Sequence, residues 1–352
     1  MSSREIRSTV AAKTNGKVPE EWLPDLELLR RLVERSNKIV DCNPTVVGHK
    51  GQEKSLVVAT VSSDLRSSDL VRYRPSVDRG FRTFHVRTKR RRLELRKNFL
   101  LDLDVAAKNG ARLICFNEMA FPRGASQASN RRLLEQIQRV VDNHSLFVAA
   151  GTYHHPSTDH NVCPIFVPGG CVDPHAKLTS AARLKEHVRT PSGRIMRYYR
   201  TGFGKVGLLI CLDAFEPTLF LKMMRQSSLF RSQDEIDLVL VPSFSPYNAK
   251  SILESCQDLS YVTGATVVFV NCSERPPAHA LFLGGRKLAR TSREHGYKRR
   301  KPKDPATDRV VLHELSWDRI ETQKNLARDR HSPVLRFVMG DNSPIPIEIP
   351  LD

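Results

Sequence analysis

What most constrains this chain is a recurring unit, in which a short β-branched apolar run is followed by a helical stretch and then another such run. SLVVATV (55–61), RLICFNE (112–118), SLFVAAGTY (145–153), KVGLLICLD (205–213), DLVLVPS (237–243) and TVVFVNC (266–272) all have strand length and buried-strand composition. Between them, residues 90–111 read as a long helix closed by a Lys-Asn-Gly stop, and further helices are expected at about 130–143, 216–231 and 247–264. CPIFVPGG (163–170) and CVDPHAKL (171–178) form a predicted hairpin on a Pro-Gly-Gly turn. IMRYYRT (195–201) and VVLHEL (310–315) add strands, and a charged helix is expected at about 316–328. Strands, hairpins and helices in this order predict a layered α/β sandwich in which helices cover sheets. No repeat of fixed period is present, which excludes a solenoid.

At 352 residues the chain can form one large domain or two ordinary ones. Its 40% hydrophobic and 27% charged residues are a globular balance, which excludes wholesale disorder. No uncharged apolar run approaches the roughly 18–20 residues of a membrane span, and the N-terminus lacks the apolar core of a signal peptide. The expectation is a soluble cytoplasmic protein with no membrane partner. Residues 1–54 read as a peripheral helical extension, with Leu26, Leu29 and Val33 at helical spacing as a packing or dimer element.

The seven cysteines are odd in number and contain no CxxC pair, which argues against a disulfide scaffold and a structural zinc site. His154, His155, His160 and His175 lie close in sequence, but their spacing fits no metal-ligand pattern and they read as surface residues. There is no GxGxxG or GxxxxGK[ST], and the lysine of TGFGKVG (201–207) is too close to its glycines to cradle phosphate. No metal or cofactor is expected.

The formal charge is +18, and two segments hold most of it. Residues 82–97 carry eight basic residues and one acid, and residues 286–303 carry nine and one. The rest of the chain has 39 basic residues (56 less 17) and 36 acidic ones (38 less 2), so the basicity is local. Such segments attract polyanions through salt-sensitive steering, yet neither contains a zinc-finger, RRM or KH signature. Solubility or a protein contact is the plainer reading of each.

Three strand ends carry chemistry-bearing side chains. Glu118 closes RLICFNE at the margin of a core, a position suited to a general base, although an isolated loop acid there would be ordinary. Lys177 ends the second hairpin strand, where a lone lysine is usually a surface residue. Cys211 sits where GKVGLLIC gives way to a turn, so backbone N–H groups could face a developing oxyanion, whereas on its own it would read as inert core.

The context of all three resembles the nitrilase superfamily of carbon–nitrogen hydrolases. ARLICFNEMAFPRG is similar to its first-glutamate segment, NVCPIFVPGGCVDPHAKL to its lysine segment with Asn161, Gly169, Gly170 and Lys177 in place, and YRTGFGKVGLLICLDAFEP to its nucleophile segment. DLVLVPSFSP, TVVFVNCSE and LFLGGRKLA resemble the segments that follow. The resemblance covers about residues 55–330 and implies a four-layer α-β-β-α sandwich, with a hydrolase domain over 55–350 and basic insertions at about 62–97 and 286–305. It further implies a Glu118–Lys177–Cys211 triad that cleaves a small amide or nitrile through a covalent thioester or thioimidate. In that scheme Glu118 moves protons, and Lys177 and the backbone N–H of Leu212 hold the oxyanion. Glu186 matches a second glutamate that helps hold the lysine, with Lys185 a rival for the lysine role. Amidase chemistry and a homodimer are what the family favours.

The family's usual proline before the glutamate is Asn117 here, and the serine of its GGS segment is Arg286. These departures, with the long basic loop at 62–89, are expected at the pocket rim, where Arg286 would favour an anionic substrate. Two other readings remain open. One is a nitrilase-like binding or regulatory module that contacts nucleic acid or a protein through its basic segments. The other is a thiol protease pairing Cys211 with a histidine.

Overall fold

The computed structural model describes residues 41–46, 55–73, 83–123, 127–155, 160–179, 195–215, 236–245, 249–274, 278–288, 291–292, 297–300 and 309–327. The chain begins with β1 (Asp41–Val46), β2 (Ser55–Val61), β3 (Leu70–Tyr73), β4 (Thr83–Val86), α1 (Lys89–Lys108), β5 (Leu113–Phe116) and α2 (Gln127–His144). Next come β6 (Phe147–Ala149), β7 (Tyr153–His154), β8 (Asn161–Val167), β9 (Gly170–Ala176), β10 (Ile195–Thr201), β11 (Gly204–Leu208) and β12 (Leu238–Pro242). The remainder is α3 (Ala249–Thr263), β13 (Thr266–Val270), β14 (His279–Leu283), β15 (Arg286–Lys287), β16 (Thr291–Ser292), β17 (Tyr297–Arg300), β18 (Val310–Ser316) and a helix α4 over 317–327.

Two sheets stack face to face. One has the order β1-β10-β11-β12-β13-β14-β15 and the other β16-β17-β18-β2-β5-β6-β8-β7, with β9 paired to β8. The period-2 alternation of the apolar strands explains the layering. Leu56, Val58, Leu113, Cys115, Phe147, Ala149, Cys163 and Ile165 face the core between the sheets. Their neighbours Ala59, Val61, Ile114, Phe116, Val148 and Phe166 face outward and are covered by Phe99, Leu103, Leu133, Ile137 and Val141 of α1 and α2. Ile252, Cys256 and Leu259 of α3 cover the other sheet. The result is the four-layer α-β-β-α sandwich.

Thr60 links the two sheets by polar contacts within the inter-sheet core. The Thr60 hydroxyl lies 2.9 Å from His313 Nε2 in its own sheet and 2.9 Å from His279 Nδ1 in the facing sheet. At the margin, Ser62 donates to the Asn271 carbonyl at 2.8 Å. Since Ser62 follows β2 and Asn271 follows β13, the parallel strands of both sheets end on the same side of the sandwich.

β1 lies within the region read as an N-terminal extension and pairs in parallel with β10 at the sheet edge. Residues 20–40, where the helix was expected, lie outside the described residues, as does the helix expected at 216–231. The loop at 62–89 contains the β3–β4 hairpin. His154 and His175 are buried in β7 and β9, which corrects their reading as surface residues. They occupy inward-facing positions, and a polar residue type alone does not reveal that. Among the described residues, no group of three or more His, Cys, Asp or Glu is placed to hold a metal, and no cysteine forms a disulfide.

Candidate active site

Glu118 lies two residues beyond the apolar strand β5. All four residues of β5 are buried, and the ladder runs one step further through Asn117 N–H to the Val61 carbonyl at 3.1 Å. The chain then turns sharply, with Met119 in the left-handed region at φ 64°. Asn117, at the position of the family's proline, holds this turn by accepting from Ser63 N–H at 2.7 Å and donating to the Glu118 carbonyl at 2.7 Å. Gly151 (φ 75°) backs the turn, because a Cβ there would lie 2.6 Å from the Asn117 carbonyl.

The Glu118 carboxylate is 3% exposed and accepts three hydrogen bonds. Lys177 Nζ (2.7 Å) and Asn161 Nδ2 (3.0 Å) reach Oε1, and Phe244 N–H (2.9 Å) reaches Oε2. Lys177 is also 3% exposed and continues the hairpin ladder by donating its N–H to the Asn161 carbonyl at 2.8 Å. Asn161 therefore serves the site twice, through its backbone and through its side chain. Phe244 follows β12, and its loop is fixed by Asn271, which accepts from Ser245 N–H (2.8 Å) and donates to the Ser245 carbonyl (3.0 Å). Thus Glu118 and Lys177, 59 positions apart in sequence, form one buried ion pair.

Cys211 comes three residues after β11 and opens a one-turn 3-10 segment that runs to Phe215. It is 5% exposed and adopts φ 53°, an unfavourable conformation for a side chain other than glycine. Asp213 fastens this turn to the lysine strand. Its Oδ1 accepts from Leu178 N–H (3.0 Å) and Thr179 N–H (2.7 Å), and its Oδ2 accepts from Ile210 N–H (3.1 Å). The residues flanking Cys211 and those following Lys177 therefore share one carboxylate. Leu212 packs against the inter-sheet core on the same turn. Glu186 and Lys185 lie outside the described residues.

Burial pushes the Asp213 carboxyl up from its ordinary 3.8 to about 7, outweighing the opposing pull of the Lys177 ammonium and the three N–H donors. A carboxyl whose pKa is raised by folding stabilises the fold fully below its unfolded value and loses that contribution as pH rises through the folded value. Between pH 4 and pH 7 it should therefore lower stability with rising pH by at most about 1.4 kcal/mol per unit. Denaturant titrations at pH 5 and pH 8 should show this slope in the native chain and a flatter one in Asp213→Asn. Equal slopes would count against it.

The structure does not place Arg286 on the site rim. Arg286 pairs with Leu283 at the far end of β14, whereas His279, at the near end, pairs with Val270 beside Asn271. Because β14 runs antiparallel to β13, the exposed Arg286 sits at the opposite end of the sandwich from Glu118. The sequence spacing alone left that direction open.

A family model described as carbon–nitrogen hydrolase matches residues 39–228, more than half of the chain. The chain belongs to the carbon–nitrogen hydrolase family. No curated protein matches this hydrolase by sequence. Among solved structures, its fold is similar to that of Saccharomyces cerevisiae Nit3, a member of branch 10 of the nitrilase superfamily, at TM-score 0.53 and 14% identity over 79% of this chain and 96% of that one. An amidase from Nesterenkonia sp. matches at TM-score 0.52 and 13% identity, over 79% and 97% of the two chains. The Caenorhabditis elegans NitFhit protein matches at TM-score 0.51 and 15% identity, over 78% of this chain and 64% of that one. At such identities the likeness concerns the nitrilase-superfamily fold. No helix among the described residues of this hydrolase is long and apolar enough to cross a membrane.

Proposed function

We propose that this carbon–nitrogen hydrolase is an amidase that works through a thioester on Cys211. The observation that carries the reading is the buried Glu118–Lys177 pair, which Asp213 ties to the turn that opens at Cys211 by accepting from Leu178, Thr179 and Ile210 N–H. Burial makes Cys115, Cys163, Cys256 and Cys272 poor nucleophiles, pushing the thiols of the first three well up and that of Cys272 up to about 11.

In the proposed reaction Glu118 takes the Cys211 proton as sulfur bonds to the amide carbon. The resulting oxyanion is held by the Lys177 ammonium and the Leu212 N–H. The C–N bond then breaks and the leaving amine departs with the proton from Glu118. Glu118 next deprotonates water, which attacks the thioester carbon. The C–S bond breaks, releasing the carboxylic acid and restoring the thiol. Asn161 and Phe244 N–H keep the carboxylate aimed throughout, and Glu186 is the proposed second support of Lys177. A nitrile would enter the same path through a thioimidate. The substrate is a small amide and the active form a homodimer in this reading.

The test is alkylation by iodoacetamide with peptide mapping. One fast-reacting thiol is expected at Cys211, and Cys211→Ala should lack it. Intact-mass measurement after incubation with short aliphatic amides should reveal an acyl adduct on the same residue. Alkylation spread evenly over the cysteines would instead support the binding-module reading.

A further inference from the structure

We propose that the outer face formed by α1 and α2 binds nucleic acid through its phosphate backbone. The basic run at 82–97 divides in the fold. Arg91 turns inward to Asp64 and Asp69 and pairs with Glu94, and Arg96 crosses to Ser129 and Gln136 of α2. These two arginines serve the fold, and the Arg96 bonds hold the helices side by side. Arg87, Lys89, Arg90 and Lys97 are exposed and have no acidic partner among the described residues. Arg132 and Arg139 on α2 are likewise exposed with no acidic partner among the described residues, whereas Arg131 pairs with Glu135. Six exposed cations on α1, on α2 and just before α1 thus lack an acidic partner among the described residues.

Helix stability does not account for their positions. Lys89 and Arg90 occupy the first turn of α1, where the helix's own partial positive charge disfavours a cation by a few tenths to about 1 kcal/mol, and no acid offsets it there. An anion docked at that turn would reverse the penalty.

The pattern fits a repeating anion. One or two cations suffice for a small anion, but these extend along about 12 Å of α1, the reach of three to four nucleotides of one strand. The apolar part is too broken for membrane insertion. Leu93 (57% exposed) and Leu101 (38%) are separated by Lys97 on their stripe, and Leu134 stands alone on α2.

The test is fluorescence anisotropy of a labelled 25-mer, as DNA duplex and as single-stranded RNA, titrated with the full chain at 50–200 mM salt. Binding should weaken with salt at a log–log slope of about −5 for duplex, and Arg90→Ala/Lys97→Ala should bring that slope closer to zero by about 2 units. Arg90→Glu/Lys97→Glu should weaken binding at least tenfold. Arg286→Glu/Lys287→Glu, an equal charge change at the opposite end of the sandwich, should leave it within twofold. Iodoacetamide alkylation of Cys211 should be unchanged in all variants, which separates this surface from the reaction. No binding at 50 mM salt, equal losses in the two charge-reversal variants, or tighter binding to phosphatidylserine vesicles than to either nucleic acid would overturn the proposal.

Discussion

Glu118→Gln should slow iodoacetamide alkylation of Cys211 at least 100-fold and destabilise the fold by about 3–5 kcal/mol. The kinetic loss follows from removing the proposed acceptor of the thiol proton. The stability loss has a separate origin, since Lys177 would remain 3% exposed with its charge uncompensated. Breaking a buried pair from one side costs more than removing it whole, because the cost lies in the stranded charge. Lys177→Met should therefore also destabilise, while Glu118→Gln/Lys177→Met should lose clearly less than the sum of the single changes. Denaturant unfolding of the four proteins measures that coupling, and additive losses would show that the 2.7 Å contact contributes little.

Lys324→Met should cost a similar 3–5 kcal/mol and leave the alkylation rate of Cys211 unchanged. Lys324, on α4, reaches Asp237 Oδ1 at 2.6 Å, and Asp237 Oδ2 accepts Lys205 N–H at 2.6 Å at the start of β12. Burial pushes the Asp237 carboxyl up, and Lys324 is the main group opposing that. Without the lysine, the buried carboxyl favours its protonated form, so the loss should be larger at pH 8 than at pH 5. A loss below 1 kcal/mol at both values would mean that α4 is held by its apolar contacts alone.

The layers were legible because short apolar, β-branched runs alternate with helical stretches along the chain. SLVVATV and RLICFNE read as buried strands because their apolar residues are nearly continuous, and the structure covers both of their faces, one by the facing sheet and the other by α1 and α2. The helices expected at 90–111, 130–143 and 247–264 appear at 89–108, 127–144 and 249–263. β1 escaped notice because Asp-Cys-Asn-Pro-Thr-Val is polar and interrupted by proline, and its pairing with β10 is a property of the sheet edge. At the site, Glu118, Lys177 and Cys211 each read as ordinary alone, and it was the resemblance of their surrounding segments to the nitrilase superfamily that singled them out. The Phe244 N–H left no trace in the sequence, because a backbone donor carries no residue signature. Asn161 was visible only as a motif position, and its bond to Glu118 emerges once β8 and β5 share a sheet. Arg286 shows the opposite limit, where a residue type suited to a rim was carried to the wrong end by strand direction.

The left-handed backbone at Cys211 sets two kinds of fitness against each other at a single codon. Glycine would relax that bend by about 1 kcal/mol or more, so a library screened for thermal robustness alone would drift towards it and discard the sulfur. Engineers seeking a hardier variant would do better to hold this position fixed and look for gains at the opposite end of the sandwich.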